Sequence, residues 1–186
     1  MSEPVRRVQA PVNLAWIDLE MTGLDSGRDV ILQAALVITN SVLHPLEEFS
    51  CDVWQPAAAL ESMVPAVREM HEKSGLLGRV ARSSIDLRAA EGSLLERISG
   101  WCPYPAVIAG NSIAQDRRFI DRHLPGLAGY LHYRMLDVST VKLLARLWYG
   151  ESAVYVKSKA QEHDALVDIK NSIRELAHYR ATLFRP

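Results

Sequence analysis

The 186-residue chain predicts an α/β fold, a mixed β-sheet flanked by α-helices, and three features carry that expectation. Aliphatic runs of strand length crowd the first third, and helical periodicities fill much of the rest. One short apolar run, Ala106-Val107-Ile108-Ala109-Gly110, stands among the helices. Strands followed by helices, with one further buried strand, call for a sheet that carries helices on its faces.

Strands are expected near 13–20, 30–39 and 45–54 as a meander. The first two are joined by a turn through Gly23 to Gly27, with Asp25 and Ser26 as turn formers. Helices are expected near 57–73 and 85–100, then a short strand at 106–109, then helices near 113–123, 137–148 and 164–181. The last is amphipathic, its apolar positions including Leu166, Ile169, Ile173, Leu176 and Ala177.

At 48% hydrophobic and 23% charged, the chain suits one globular domain over 1–186, with a short flexible N-terminus over about 1–11. Cys51 and Cys102 lack a CxxC spacing and no apolar signal stretch precedes the first strand, so a cytoplasmic protein with reduced, buried thiols is expected. The longest apolar stretches fall far short of the roughly 20 residues a membrane helix needs, and no membrane partner is expected.

Trp16-Ile17-Asp18-Leu19-Glu20-Met21-Thr22-Gly23-Leu24 sets two carboxylates two residues apart inside an apolar run. On a strand they emerge on one face, about 6.6 Å apart along the chain. Like charges on one face of a core strand repel and resist desolvation, and a divalent cation held by oxygen ligands is the usual remedy. The competing reading is a strand that ends at Asp18 and leaves both acids solvated in a turn.

Further acids recur along the chain. Asn111-Ser112-Ile113-Ala114-Gln115-Asp116 follows the short apolar strand and reads as turn then helix start, with Asn111 or Ser112 placed to cap and Asp116 in the first turns. The carboxyl edge of strands in open α/β sheets is where ligands bind, although an acid there also complements the helix dipole. His163 and Asp168 stand five residues apart, a step of about 140° beyond a full helical turn. They converge only if His163 lies in the loop before the helix, with Asp164 as N-cap. A loop histidine without a role is the plainer alternative.

In order, Asp18-x-Glu20, Asp116 and His163-x4-Asp168 resemble the three motifs of the DEDDh group of 3′→5′ exonucleases. Within that group, the phrases at 16–24, at 110–119 (Gly-Asn-Ser-Ile-Ala-Gln-Asp-Arg-Arg-Phe) and at 132–140 (His-Tyr-Arg-Met-Leu-Asp-Val-Ser-Thr) look very like the oligoribonuclease family. The match runs from about Asn13 to the last helix. The resemblance implies a ribonuclease H-like arrangement of the sheet and a homodimer.

It also implies a ligand set of Asp18, Glu20, Asp116 and Asp168 for two divalent cations, Mg²⁺ or Mn²⁺, with His163 as general base. The expected reaction is hydrolysis of very short single-stranded RNA, including linear dinucleotides, to nucleoside 5′-monophosphates. By the same resemblance Leu24 packs against a base, Ser112 and Gln115 lie beside the cleavage site, and His71 contacts the phosphate end of the substrate. Tyr133, Arg134, Ser139 and Thr140 come from the partner subunit as a cap near the 5′ phosphate, Tyr133 counting among the catalytic residues and Arg134 suited to bidentate phosphate binding.

Two positions depart from the family pattern. Gln33 stands where many members have a glutamate, and Ala66 where some have a tryptophan that wedges a base. The stretch Gly150 to Gln161 looks short and irregular, as expected of a loop that closes over the site.

Net charge narrows the substrate. Proteins that hold long nucleic acid usually carry a basic surface, and a chain of net charge −1 has no such excess. Two divalent cations would offset the four carboxylates, leaving a compact pocket suited to a few nucleotides. The same chemistry on longer DNA or RNA, as in proofreading or trimming, is the alternative, and a defunct dimeric nucleic-acid-binding module is the third.

Overall fold

The computed structural model describes residues 7–156 and 164–184. Five strands, β1 (Leu14–Met21), β2 (Ile31–Thr39), β3 (Pro45–Asp52), β4 (Ala106–Gly110) and β5 (Leu131–Asp137), form one sheet in the order β3-β2-β1-β4-β5. β1, β2 and β3 make the expected antiparallel meander, while β4 lies parallel to β1 and β5 parallel to β4. This is the mixed, helix-flanked sheet of the ribonuclease H-like class. The helices are α1 (Ala57–Glu61), α2 (Pro65–Lys73), α3 (Leu76–Arg82), α4 (Leu87–Trp101), α5 (Ala114–His123), α6 (Pro125–Tyr130), α7 (Val138–Tyr149) and α8 (Ala165–Thr182).

Helices cover both faces of the sheet, so β2 is buried along its whole length and reads as a nearly continuous apolar run. Ala15, Ile17 and Leu19 of β1 join Leu94 and Ile98 of α4 and Phe119 of α5 in one core. Trp16, Ala35 and Val37 join Val138 and Ala145 of α7 and Ile169 of α8 in the other. Asp18 and Glu20 share the parity of Trp16, so the alternation of β1 turns both acids toward the α7 and α8 side.

Several expectations need correction. The helix expected at 57–73 is two helices, because Pro65 opens α2 and holds Val64 before it in extended backbone (φ −66°, ψ 148°). α3 fills a stretch to which no element was assigned, and it starts after Gly75, whose φ of 72° is the left-handed conformation glycine adopts without strain. α6 and β5 were not expected either. β5 lies at the sheet edge with Tyr133, Arg134 and Met135 exposed in succession, so it shows no apolar alternation.

Asn111 and Ser112 do not cap α5, whose N-cap position is Ile113 without a side-chain bond. Asp164 caps α8 as expected, accepting from the N–H groups of Leu166 and Val167, and Asp137 caps α7, accepting from the Ser139 N–H. Among the described residues, no helix is long and apolar enough to cross a membrane.

Candidate active site

The carboxyl ends of the parallel strands β1 and β4 share one edge of the sheet, and the N-terminus of α8 lies against it. β4 ends at Gly110, where a Cβ would stand only 3.0 Å from the carbonyl oxygen of Ile17, so a glycine lets the two strands close up. β1 pairs with β4 only through Ala15 and Trp16. Beyond that point Asp116 of α5 accepts a hydrogen bond from the Leu19 N–H at 3.0 Å, which brings a third acid against the strand.

Asp18, Glu20 and Asp168 each place a carboxylate oxygen within 4.8 Å of the others. Three hard oxygen donors at that separation fit a divalent cation and lack the nitrogen or sulfur donors that would favour a softer metal. Asp116 stands outside this trio, buried and bound to Leu19, yet its charge is felt at Glu20.

The electrostatics agree with the geometry. Burial, and then the charges of Asp168, Asp116 and Asp164, push the Glu20 carboxyl up to about 7, with Arg79 opposing them. Burial pushes Asp116 to about 7 as well, against the hydrogen bond from Leu19. Perturbed carboxylates gathered at a sheet edge mark a functional site more often than a structural one.

The remaining expected residues fall into two groups. Close to the acids, the His71 ring is fully buried, its Nε2 donating to the Met21 carbonyl at 2.9 Å and its Nδ1 lying 3.9 Å from Glu20 Oε2. Leu24 is 74% exposed, and Gln115 Nε2 donates to its carbonyl at 2.6 Å, so Gln115 holds the backbone that presents Leu24. His163 lies outside the described residues, as do residues 157–161 of the expected closing loop, which begins with a short 3-10 turn at Glu151–Ala153.

Farther along the edge, Ser112 adopts a φ of 53°, uncommon for a residue with a side chain. Its N–H donates to Asp137 Oδ1 and Ser139 Oγ, both at 2.9 Å, and the Ser139 hydroxyl donates to Asn111 Oδ1 at 3.1 Å. Ser112 and Ser139 are therefore brought together. Tyr133, Arg134 and Thr140 are exposed, and the Arg134 guanidinium lies 5.2 Å from the Tyr133 ring centre. Among the described residues, no hydrogen bond or ion pair joins these three side chains to the four acids.

Sequence reasoning missed the groups that support the site. Asn111 Nδ2 donates to Ser172 Oγ at 2.8 Å and to Glu175 Oε2 at 3.1 Å, which ties the end of β4 to α8. Fully buried Glu175 also pairs with Lys142 Nζ of α7 at 2.9 Å. The helical spacing of Asp168, Ser172 and Glu175 along one face of α8 was the available signal.

Comparison with known proteins decides the family. A model of the exonuclease family matches residues 15–176. Oligoribonuclease of Mycobacterium tuberculosis is 46% identical over 177 residues, which span 93% of this chain and 82% of that one. Oligoribonuclease of Pseudomonas aeruginosa is 47% identical over 175 residues, 93% of this chain and 97% of its own. The chain belongs to the exonuclease family, among the oligoribonucleases. In fold it is similar to exonuclease I of Methylocaldum szegediense (TM-score 0.71, 19% identity, 92% of this chain). The same holds for E. coli exonuclease I in complex with an oligonucleotide (TM-score 0.72, 13% identity, 95% of this chain). The chain spans about two fifths of the length of those two, 41% and 42%.

Proposed function

We propose that this exonuclease removes nucleotides 3′→5′ from very short RNA, including linear dinucleotides, and releases nucleoside 5′-monophosphates with the help of two divalent cations, Mg²⁺ or Mn²⁺. The observation that carries the reading is the convergence of Asp18, Glu20 and Asp168, with Asp116 beside them at the carboxyl edge of β1 and β4. The oligoribonuclease relatives point to short RNA, and a net charge of −1 supports the same substrate.

In this reading Asp18, Glu20, Asp116 and Asp168 hold the cations. Divalent cations, when bound, polarise the scissile phosphate and make a water acidic enough to attack at neutral pH. The chain's own groups do the rest. His163 takes the proton from the attacking water, a task matched to an imidazole pKa near 6.5. Leu24 packs on a base, its backbone held by Gln115, and the phosphate end of the substrate is met on the side of His71. Ser112 and Gln115 lie beside the cleavage site, and Ser139, Thr140, Tyr133 and Arg134 of a partner subunit cap the 5′ phosphate.

A homodimer suits the surface next to that cap. Leu143, Leu147 and Trp148 of α7 are 51%, 66% and 69% exposed, and Tyr133 of the edge strand β5 is 74% exposed. Apolar side chains at this density beside an unpaired strand edge are a liability that a second copy of the chain removes. Two free buried thiols, Cys51 and Cys102, support a cytoplasmic location.

The test is the product profile on labelled RNA of two, seven and twenty nucleotides, with Mg²⁺ and with chelator. Fastest turnover of the dinucleotide to monophosphates, lost with chelator, is expected. Preference for the twenty-mer would make a longer-substrate exonuclease the better reading, and turnover in chelator would remove the metal mechanism.

A further inference from the structure

Glu20, Gln33 and Asp52 stand directly opposite one another across β1, β2 and β3, so their side chains share one face of the sheet. The middle one is neutral and 4% exposed. Its amide reaches in two directions. Nε2 donates to Asp52 Oδ1 at 2.8 Å, and Oε1 accepts from the Ala165 N–H at 3.1 Å.

Ala165 is the first residue of α8, three before Asp168. The first N–H groups of a helix have no partner within it and must find one elsewhere. Here Asp164 takes those of Leu166 and Val167 with its carboxylate at 3.2 Å, and that of Asp168 with its carbonyl at 2.9 Å. Gln33 takes the remaining one, from a different element. Arg79 of α3 closes the circuit, with Nε 3.1 Å from Asp52 Oδ2 and Nη2 4.0 Å from Asp164 Oδ2.

We infer that Gln33, braced by Asp52 and Arg79, is a positioning residue that ties the start of α8 to the central sheet and so sets Asp168 over Asp18 and Glu20. This rests on the reading of Asp168 as a metal ligand. In this chain, with Asp52 opposite, the amide is the group the place requires. A carboxylate at position 33 could still accept from Ala165, but it would meet Asp52 with no proton to donate and would set three acids in a row with Glu20. The circuit should be re-formed by exchanging the two groups, because an asparagine at 52 can donate to a glutamate at 33 while its carbonyl accepts from Arg79.

The test uses the full-length protein as Gln33→Leu, Gln33→Glu, Gln33→Glu/Asp52→Asn and Asp168→Asn. Two readings are taken besides activity, the Mn²⁺ dissociation constant by electron paramagnetic resonance and hydrogen exchange of the α8 first-turn amides, with α4 as internal reference. Gln33→Leu and Gln33→Glu are expected to weaken Mn²⁺ binding about 10-fold, the low end for residues that orient metal ligands, and to speed exchange in α8 but not in α4. The double variant should regain most of both relative to Gln33→Glu. Wild-type binding and exchange in both single variants, or a double variant no better than Gln33→Glu, overturns the inference. Undiminished Mn²⁺ binding by Asp168→Asn refutes the metal reading of that residue, and exchange then decides alone: faster exchange in Gln33→Leu upholds the hold on α8 and wild-type exchange overturns it.

Discussion

Glu20 on β1 and Glu47 on β3 are the same residue in the same sheet, and they have opposite electrostatics. Glu47 accepts from Arg7 Nε at 2.8 Å, Arg7 Nη2 at 2.7 Å and Trp101 Nε1 at 2.7 Å, with Arg97 Nε 3.3 Å away. Those hydrogen bonds, Arg7 first, hold its carboxyl below the usual range. Glu20 has Asp18 and Asp168 for neighbours instead, and burial together with the charges of Asp168, Asp116 and Asp164 lifts its carboxyl to about 7. A structural acid is matched by the chain's own cations. A cluster of converging acids with raised carboxyls is suited to receive positive charge from outside, and that separates the two ends of this sheet.

The largest expected effect separates those ends outright. Asp18→Ala should lower turnover by roughly 10²–10³-fold or more with the far-ultraviolet circular dichroism unchanged. Glu47→Ala should keep wild-type turnover and lose about 1–3 kcal/mol of stability, because Arg7, Arg97 and Trp101 lose a charged acceptor. Equal loss of turnover in both variants would erase the distinction.

A smaller effect is expected at the proposed cap. Arg134→Ala should weaken dinucleotide binding by about 1.5–3 kcal/mol, the range for a hydrogen bond to a charged group, and leave twenty-nucleotide binding little changed. Mixing it with Asp18→Ala protein should restore activity, since one site of the heterodimer then combines an intact acid cluster with an intact cap. No recovery after verified subunit exchange would show that the cap lies within one chain.

The smallest effect is on stability against pH, and here the two glutamates should move in opposite directions. Glu20 and Asp116, at about 7 when folded and in the usual carboxylate range when unfolded, take up protons in the folded state first. In chelator, their contribution should therefore favour folding increasingly as the pH falls from 8 to 5. Glu47, lowered in the folded state, contributes stability that is present at neutral pH and is lost as the pH falls through its folded pKa. Urea unfolding of wild type and Glu47→Gln from pH 8 to 3 checks both, and a wild-type stability that declines steadily from pH 8 to 5 contradicts the first.

What was legible in the sequence follows from how locally each signal is encoded. β1, β2 and β3 show as apolar runs because their side chains face a core, and the acids of β1 stand out because two charges interrupt such a run. β5 was silent because an edge strand with Tyr133, Arg134 and Met135 exposed has no alternation to read. Asn111 was misread as a cap because its partners, Ser172 and Glu175, are 61 and 64 residues away. The bond from Ala165 to Gln33 spans 132 residues, so Gln33 could be seen only as an odd residue and not as a support for α8. The acids that the fold brings together were legible, and the groups that aim them were not, because aiming is a tertiary property.

The most direct test of the contrast between the two ends of the sheet is a Mn²⁺ titration followed by electron paramagnetic resonance on wild type, Asp18→Asn and Glu47→Gln. Two bound ions in wild type, binding at least about 10-fold weaker in Asp18→Asn and unchanged binding in Glu47→Gln are expected. Wild-type Mn²⁺ binding by Asp18→Asn would contradict the assignment of the acid cluster as a metal site.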